Sequence, residues 1–481
     1  MIKKILKYKY LYMFIAFSAL FIIYYCITKD YSADNLWNMH NAQKLYNGFV
    51  PYREFSMIVT PLFHIIGALF IRVLGNNVFS FHIYGGILLG CSLTLFLYII
   101  KKTCHSPKAN LVLVPIFMAF LVAAKISYNW LCMIWILLLI IIELKIPDNF
   151  NYKWILNGFI IALIFLTKQN IGVVYACFYF LYLILNKNID NKSIKALIFV
   201  GTGIISIVPF IIYLVCSNSL FDFFDLCILG MLDFGKSNAY STTSAGTPIM
   251  IIVVILVLLE LVKSIKTKNR QMTYISCLSI CNFFFVIPFI DFWHLFIALM
   301  PFIIGLIWFI KQNVKTKALK QTILCICIGL TLTCFFVILL FFGYCIATLR
   351  VVSAPSEYEF YEAAKGIDVD YFDCWKQIKN YIDKSEGEGK NVILAYENAS
   401  MVLLPFNTNN KYFDTLLTGN FGYGGEQKVI EKIQNIENVK IILGIGFASK
   451  HQTCHKIKQF VQDNYKLVDY ICGMPVYEKW L

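Results

Sequence analysis

Long apolar runs alternate with short polar loops from Leu11 to Leu349, after which polar residues take over as far as the C-terminus. A helix crossing the hydrocarbon of a bilayer needs roughly 20 predominantly apolar residues. Runs of this kind fall near 11–28, 78–100, 110–125, 127–144, 154–167, 169–186, 195–216, 247–263, 272–290, 294–310 and 320–348, with boundaries loose by several residues. The pattern predicts a polytopic α-helical membrane protein of about eleven spans. One further apolar run, 60–74, is short and carries His64 and Arg72, each costly at the centre of a bilayer. If it crossed, the lysine loop 101–109 and all later loops would change sides. Laid along the outer surface as an interfacial helix, it leaves loops 101–109, 145–153, 187–194, 264–271 and 311–319, all lysine-bearing, on one face. That is the arrangement the positive-inside rule expects. Loops 29–77, 125–128, 167–170, 217–246 and 290–294 then lie outside, poorer in lysine for their length.

The tail reads differently. Asn391 to Tyr396 and Val439 to Gly444 have the composition of short buried strands. Glu426 to Ile436 and His451 to Asn464 read as helices, and Leu467 to Ile471 with Pro475 to Lys479 as a closing strand pair. The expected organisation is a membrane domain, 1–349, with its long outer loop at 29–77, and a small extracytoplasmic α/β domain, 350–481. The run from Leu11 to Ile27 follows Lys3, Lys4, Lys7 and Lys9 and ends in Tyr24-Tyr25-Cys26, without a signal-peptidase pattern. It is expected to be an uncleaved first span with its N-terminus in the cytoplasm.

Composition agrees. The chain has 481 residues, 59% of them hydrophobic and 15% charged, against about half and a quarter in a soluble domain. The net charge of +14 resides in short loops rather than in a basic stripe interleaved with aromatics, which argues against a nucleic-acid partner. The 16 cysteines lie mostly inside apolar runs, where they act as small hydrophobes. Three, Cys374, Cys454 and Cys472, fall in the tail, and their spacing does not dictate a pairing.

Chemistry is sought where ionisable residues meet the outer face. Asp34 follows the first span by a few residues and opens an amphipathic segment reaching Tyr46. It can serve as an N-cap, or face a lipid head group at that depth. Glu54 stands next to Arg53, as a second carboxylate or as that residue's solvated partner. Asp222, Asp225 and Asp233 read as the polar face of a second interfacial helix over 219–235. In the tail, His451 and His455 have zinc-compatible spacing but no further ligand set. The glycine-rich stretch from Asp414 to Gly425 lacks the P-loop spacing and lysine.

The ordered set Asp34, Ala42, Gly48, Pro51-Tyr52 and Thr60-Pro61-Leu62, before an interfacial helix ending at Leu74-Gly75, resembles the first-loop signature of GT-C glycosyltransferases. These polytopic enzymes take a sugar from a polyprenyl-phosphate carrier, and their plan of interfacial helices, many spans and an extracytoplasmic α/β tail matches this chain in outline. The resemblance implies that Asp34 is the catalytic base. It would take the proton of an acceptor hydroxyl as that oxygen attacks the anomeric carbon, an inverting geometry. The departing lipid phosphate calls for a cation. Lys168, in the polar turn Thr167-Lys168-Gln169-Asn170, suits that role and also suits a snorkelling span end. Asn170 and Tyr128 flank the expected substrate space. Asp291 and His294 open another outer turn, where relatives carry an arginine. They can bind substrate or form an Asp–His pair that anchors the loop.

Some relatives place a second, metal-holding aspartate in the next outer loop. Here the turn Lys125-Ile-Ser-Tyr128-Asn129-Trp130 has no carboxylate, which argues against a divalent metal while leaving one as the less favoured alternative, and the lipid-phosphate sugar is the expected co-substrate. The expected partners are a polyprenyl-phosphate lipid, a glycan, lipid or protein acceptor, and the plasma membrane of a bacterium. Two other classes share parts of the plan. A lipid-linked oligosaccharide flippase calls for repeated halves or charges at midplane, and a polysaccharide polymerase for arginine-rich outer loops. The chain displays neither clearly.

Overall fold

The computed structural model describes residues 8–28, 33–104, 113–186, 189–238, 246–287, 292–313, 369–397, 399–403, 416–417, 419–445 and 453–479. The expected span at 320–348, Asp291, Asp414 and His451 lie outside these residues.

Helix α1 (Lys9–Thr28) leads to α2 (Ala33–Tyr46), α3 (Leu62–Leu74) and α4 (Val78–Cys104). Five more follow: α5 (Leu113–Val122), α6 (Tyr128–Lys145), α7 (Asn151–Thr167), α8 (Gln169–Leu185) and α9 (Lys192–Cys216). The short α10 (Leu220–Phe223) passes through a π-helical turn, Phe224–Leu229, into α11 (Gly230–Asn238). Then come α12 (Gly246–Lys266), α13 (Arg270–Asn282) with a 3-10 turn at Phe283–Val286, α14 (Phe292–Ala298) and α15 (Met300–Asn313). The tail contributes α16 (Val369–Gly387), β1 (Asn391–Ala395), α17 (Ala399–Leu403), α18 (Gly425–Gln434), β2 (Val439–Leu443), α19 (His455–Asn464), β3 (Tyr465–Ile471) and β4 (Met474–Lys479).

The chain divides into two compact units. One, the bundle unit, comprises Met1–Thr28, His82–Val208 and Ser241–Val351. The other, the loop-and-tail unit, comprises Lys29–Phe81, Pro209–Tyr240 and Val352–Leu481.

In the bundle unit, four helices are long and apolar enough to cross a membrane among the described residues: Lys9–Ile27, Val78–Thr103, Tyr128–Lys145 and Lys192–Cys216. Their outward faces stay apolar. Leu197 on α9 is 74% exposed and Ile205 71%, a surface that suits lipid and not water. Helix α1 docks on α4 across Gly86 and Gly90, one turn apart. A Cβ at Gly90 would lie 2.2 Å from Ser18 Oγ, and one at Gly86 would lie 2.4 Å from Ile22 Cγ1. Small residues at this spacing let two membrane helices approach backbone to backbone.

At the end of α6, Lys153 is fully buried and donates to Glu143 and Asp148, each at 2.6 Å. Arg270 joins Glu143 at 2.8 Å and also pairs with Asp148. Two buried carboxylates are thereby met by two cations, the condition under which buried charge is tolerated.

In the loop-and-tail unit, the sheet has the order β1-β2-β4-β3, with β1 and β2 parallel and the β3–β4 hairpin antiparallel. Its core gathers Ile393, Ile441 and Leu443 from the strands with Val429, Ile433, Ile457 and Val461 from α18 and α19. A disulfide joins Cys374 on α16 to Cys472 at the β3–β4 turn, their Cα atoms 5.5 Å apart. The expected tail strands and helices appear within a few residues of their predicted places, except that α19 begins at His455.

Helix α3 belongs to this unit and not to the bundle. Its 13 residues reach about 20 Å at 1.5 Å each, short of a bilayer. Phe63, His64, Gly67 and Ile71 are buried on one face, while Ile65, Leu69 and Val73 form an exposed apolar stripe on another. A helix apolar on both sides, one packed on protein, is suited to lie in a membrane surface.

Candidate active site

Asp34 sits in the first turn of α2 with its side chain exposed, where a carboxylate is favoured by the helix dipole. The helix ends at Gly48, whose φ of +86° closes a left-handed cap. Gly48 N–H donates to the Leu45 carbonyl at 3.1 Å and Phe49 N–H to that of Lys44 at 3.0 Å, a Schellman pair. This gives a physical reason for the glycine in the first-loop pattern.

Behind Asp34 the helix buries polar side chains: Asn35, Asn38, His40, Asn41, Gln43 and Lys44 are all at most 4% exposed. Each needs a partner, since burying an unpaired polar group is costly. His64 Nε2 meets Asn38 Oδ1 at 3.0 Å, and Gln43 donates to Asn76 Oδ1 at 3.1 Å. His40 Nδ1 lies 3.1 Å from Ser400 Oγ on α17, tying the first loop to the tail. Lys44 Nζ lies over the Phe55 ring, 5.0 Å from its centroid. Burial pushes the His64 imidazole down to about 3, so it is neutral at physiological pH and donates its Nε2 proton to Asn38. Positions 34, 38 and 41 fall on one helical face, making a polar stripe from the exposed carboxylate inward. Asn41 is completely buried, and neither polar atom of its amide has a hydrogen-bond partner among the described residues.

The loop after α2 is held tightly. Tyr52 adopts a positive φ of 71°, and its hydroxyl donates to the Val59 carbonyl at 3.1 Å. A non-glycine residue there is strained and must be fixed by its surroundings. Phe223 packs edge-on against it at 5.1 Å, and Cys227 Sγ contacts the Met57 carbonyl at 3.4 Å. Glu54 accepts the Val50 N–H at 2.7 Å and pairs with Arg53 at 2.8 Å. Those contacts, the backbone one first, hold its carboxyl below the usual range. Arg53 also donates to the Ser217 carbonyl at 2.7 Å. Glu54 therefore braces the loop through both of its oxygens.

Asp225 is engaged rather than solvated, contrary to the polar-face expectation for this aspartate. It accepts the Tyr423 N–H at 3.1 Å and pairs with Lys428 at 2.5 Å. The glycine-rich stretch permits this. Gly422 has a φ of +83°, and a Cβ there would lie 2.1 Å from Asp225 Oδ2.

The other predicted site residues lie in the bundle unit. Lys168 breaks the chain between α7 and α8 with an extended backbone, φ −154° and ψ 102°. Its Nζ donates to Asn129 Oδ1 at 2.9 Å and lies 5.4 Å and 5.0 Å from the ring centroids of Tyr128 and Phe285. Gly172 makes the tight turn possible, since a Cβ there would meet Phe165 Cα at 2.3 Å. Asn170 Oδ1 accepts the Ile171 N–H at 2.9 Å, a local turn contact. His294, half-buried, is carried by α14. On the same helix Phe296 packs on Phe120 at 5.6 Å and Trp130 at 6.2 Å, and Trp293 receives Lys125 Nζ at 5.0 Å. The Tyr128, Lys168, Phe285 and His294 turns thus gather at one end of this unit. Asp34 and Glu54 belong to the other unit.

Asn129, Phe285 and the Lys125–Trp293 pair were not among the expected site residues. Asn129 and Lys125 flank Tyr128 in the same polar turn, which was the available signal. Phe285 comes from an apolar run and gave none.

Apolar helices, four of them long enough to cross a membrane among the described residues, together with a small α/β sheet in the tail, define a multi-helix membrane protein. The chain has the GT-C fold, which it shares with two crystal structures of ArnT from Cupriavidus metallidurans. The one bound to undecaprenyl phosphate matches with a TM-score of 0.57 at 10% identity, over 98% of this chain and 98% of that one. The apo structure matches with a TM-score of 0.57 at 10% identity, over 96% and 97%. No protein-family model and no curated protein sequence matches the chain.

Proposed function

We infer that this protein is a glycosyltransferase that moves a sugar from a polyprenyl phosphate to a hydroxyl acceptor at the outer face of a bacterial plasma membrane. The observation that carries this reading is a fold shared end to end with an ArnT bound to undecaprenyl phosphate, together with an exposed carboxylate, Asp34, on the first helix after the first apolar one.

In the proposed reaction Asp34 takes the acceptor's hydroxyl proton as the oxygen attacks the sugar's anomeric carbon. The bond from that carbon to the phosphate oxygen breaks from the opposite side, with inversion, and the lipid phosphate leaves with the electron pair. Lys168 neutralises the departing phosphate as a point charge. Tyr128, Asn170 and His294 supply hydrogen bonds to sugar or phosphate oxygens. The acceptor is a cell-surface polysaccharide, a glycolipid or a protein.

Two observations support the outer-face assignment. The longest segments expected outside, 29–77, most of 217–246 and the tail, fall into one compact unit, whereas the lysine-bearing loops fall in the other together with the short outer turns 125–128, 167–170 and 290–294. The Cys374–Cys472 disulfide suits an oxidising compartment and is rare in cytosolic proteins.

The test is incubation of the purified protein with a panel of polyprenyl-phosphate sugars, reading release of free polyprenyl phosphate. Asp34→Asn is expected to lower turnover by roughly 10²–10⁴-fold with unchanged membrane insertion. Full activity in that variant removes Asp34 as the base, and no release from any donor removes the activity.

A further inference from the structure

The bundle unit holds a cavity of about 300 Å³ that the proposed transfer does not use. It lies where the ends of α4 and α6, the start of α13 and α15 meet, lined by Lys102, Leu144, Asn269, Gln271, Met272 and Trp308. Its volume is at the lower end of the range of small-ligand sites.

The polar lining is rich in donors, and the proton of its one hydroxyl, Thr103, is committed to the Ile99 carbonyl at 2.9 Å. Lys102 carries a full positive charge. Asn269 caps α13 by accepting the Met272 N–H at 3.1 Å with its side-chain oxygen, so its amide nitrogen is what it offers a ligand. Gln271 is exposed and adds a second amide. Leu144, Met272 and the Trp308 indole form apolar walls beside these donors.

The nearby carboxylates do not oppose an anion. Glu143 and Asp148 are buried and neutralised by Lys153 and Arg270. Glu260, 2% exposed and packed against Gly305, is not part of the lining. Further cations, Lys101, Lys145, Lys263 and Lys266, stand in the last turns of α4, α6 and α12.

We propose that this cavity binds the phosphodiester head group of an anionic membrane phospholipid of the phosphatidylglycerol type. Lys102 and the two amides hold the phosphate oxygens, charge-assisted bonds being the strong ones, while Trp308, Met272 and Leu144 cover the glycerol and the first acyl carbons. Basic pockets between membrane helices recognise acidic lipids in this way. The apolar walls, at the ends of apolar helices, favour a lipid over free phosphate.

The test is native mass spectrometry of the full chain released from detergent containing equimolar phosphatidylglycerol and phosphatidylcholine. One phosphatidylglycerol should be retained, with roughly tenfold preference over phosphatidylcholine. The double variant Lys102→Gln/Gln271→Ala should lower that retention by roughly tenfold while keeping the wild-type melting temperature. Lys102→Arg should keep it, and so should Lys266→Gln, which removes a cation outside the lining. Equal retention of the two lipids overturns the proposal, as does an unaffected double variant or an equal loss in Lys266→Gln. Displacement by millimolar inorganic phosphate would make it a free-phosphate site, and preference for undecaprenyl phosphate a donor-lipid site. Either result also overturns it. None of these readouts depends on sugar transfer, so failure here leaves the proposed reaction standing.

Discussion

Helices α2 and α6 are both largely buried, yet their buried surfaces have opposite character. Over its 18 residues α6 buries Trp130, Leu131, Met133, Ile136, Leu137 and Ile140. Over its 14, α2 buries three asparagines, a histidine, a glutamine and a lysine beside Leu36, Met39 and Ala42. Burial of α6 is favourable mainly through close packing, with polar partners needed only near its ends, where Asn129 meets Lys168 and Glu143 meets Lys153 and Arg270. Burial of α2 is tolerated only through specific partners such as His64, Asn76 and Ser400. Departures from the simplest stable pattern are expected where function has shaped a segment, and α2 is the helix whose first turn carries Asp34. Fixing that helix by directional bonds from α3 and the tail makes its position depend on distant parts of the chain.

The sharpest way to break the comparison is on the apolar side. Trp130, 1% exposed and packed on Phe120 at 5.0 Å, should cost about 3–5 kcal/mol when changed to alanine. Thermal unfolding in detergent reads this, and an unchanged midpoint would mean that α6 is not held by packing.

The polar side responds to pH instead. His64 has a folded pKa of about 3, below its unfolded value of about 6.5. The unfolded chain therefore binds the extra proton first. The stability associated with neutral His64 is complete above about 6.5 and falls by roughly 1.4 kcal/mol per unit below it, levelling off only under the folded pKa. Between pH 7.5 and 5 the loss is about 2 kcal/mol, and His64→Gln should flatten that slope in denaturation curves. An identical slope in the variant would show that His64 titrates normally.

The smallest effect is expected at the Asp225–Lys428 pair, which is partly exposed. Lys428→Ala should lower stability by at most about 1 kcal/mol, and hydrogen exchange at the Tyr423 amide should quicken because Asp225 loses its second anchor. Exchange at the wild-type rate would mean that Asp225 holds Tyr423 unaided.

Much of this organisation was legible in residue order. The break at Lys168, the start of α6 at Tyr128 and all four tail strands follow from local periodicity, since each is decided by neighbours within a few positions. Charge placement separated α3 from the spans, because His64 and Arg72 are poor company for lipid. The contacts that shape the candidate site were not legible. His40 meets Ser400 across 360 positions and Asp225 meets Lys428 across 203, and no local pattern announces such pairs. The π-helical turn at Phe224–Leu229, where Cys227 reaches the Met57 carbonyl, was likewise hidden inside what reads as a plain amphipathic helix.

The bridge between Cys374 and Cys472 closes a span of 98 residues. A crosslink over that distance removes on the order of 4–5 kcal/mol of chain freedom from the unfolded tail. On the proposed topology, with the tail outside the cytoplasm, chains that have not met a thiol oxidase would carry α16 untethered from the β3–β4 hairpin. Mature protein should therefore accumulate poorly in cells whose envelope oxidation is blocked, even though none of the proposed catalytic groups is a thiol.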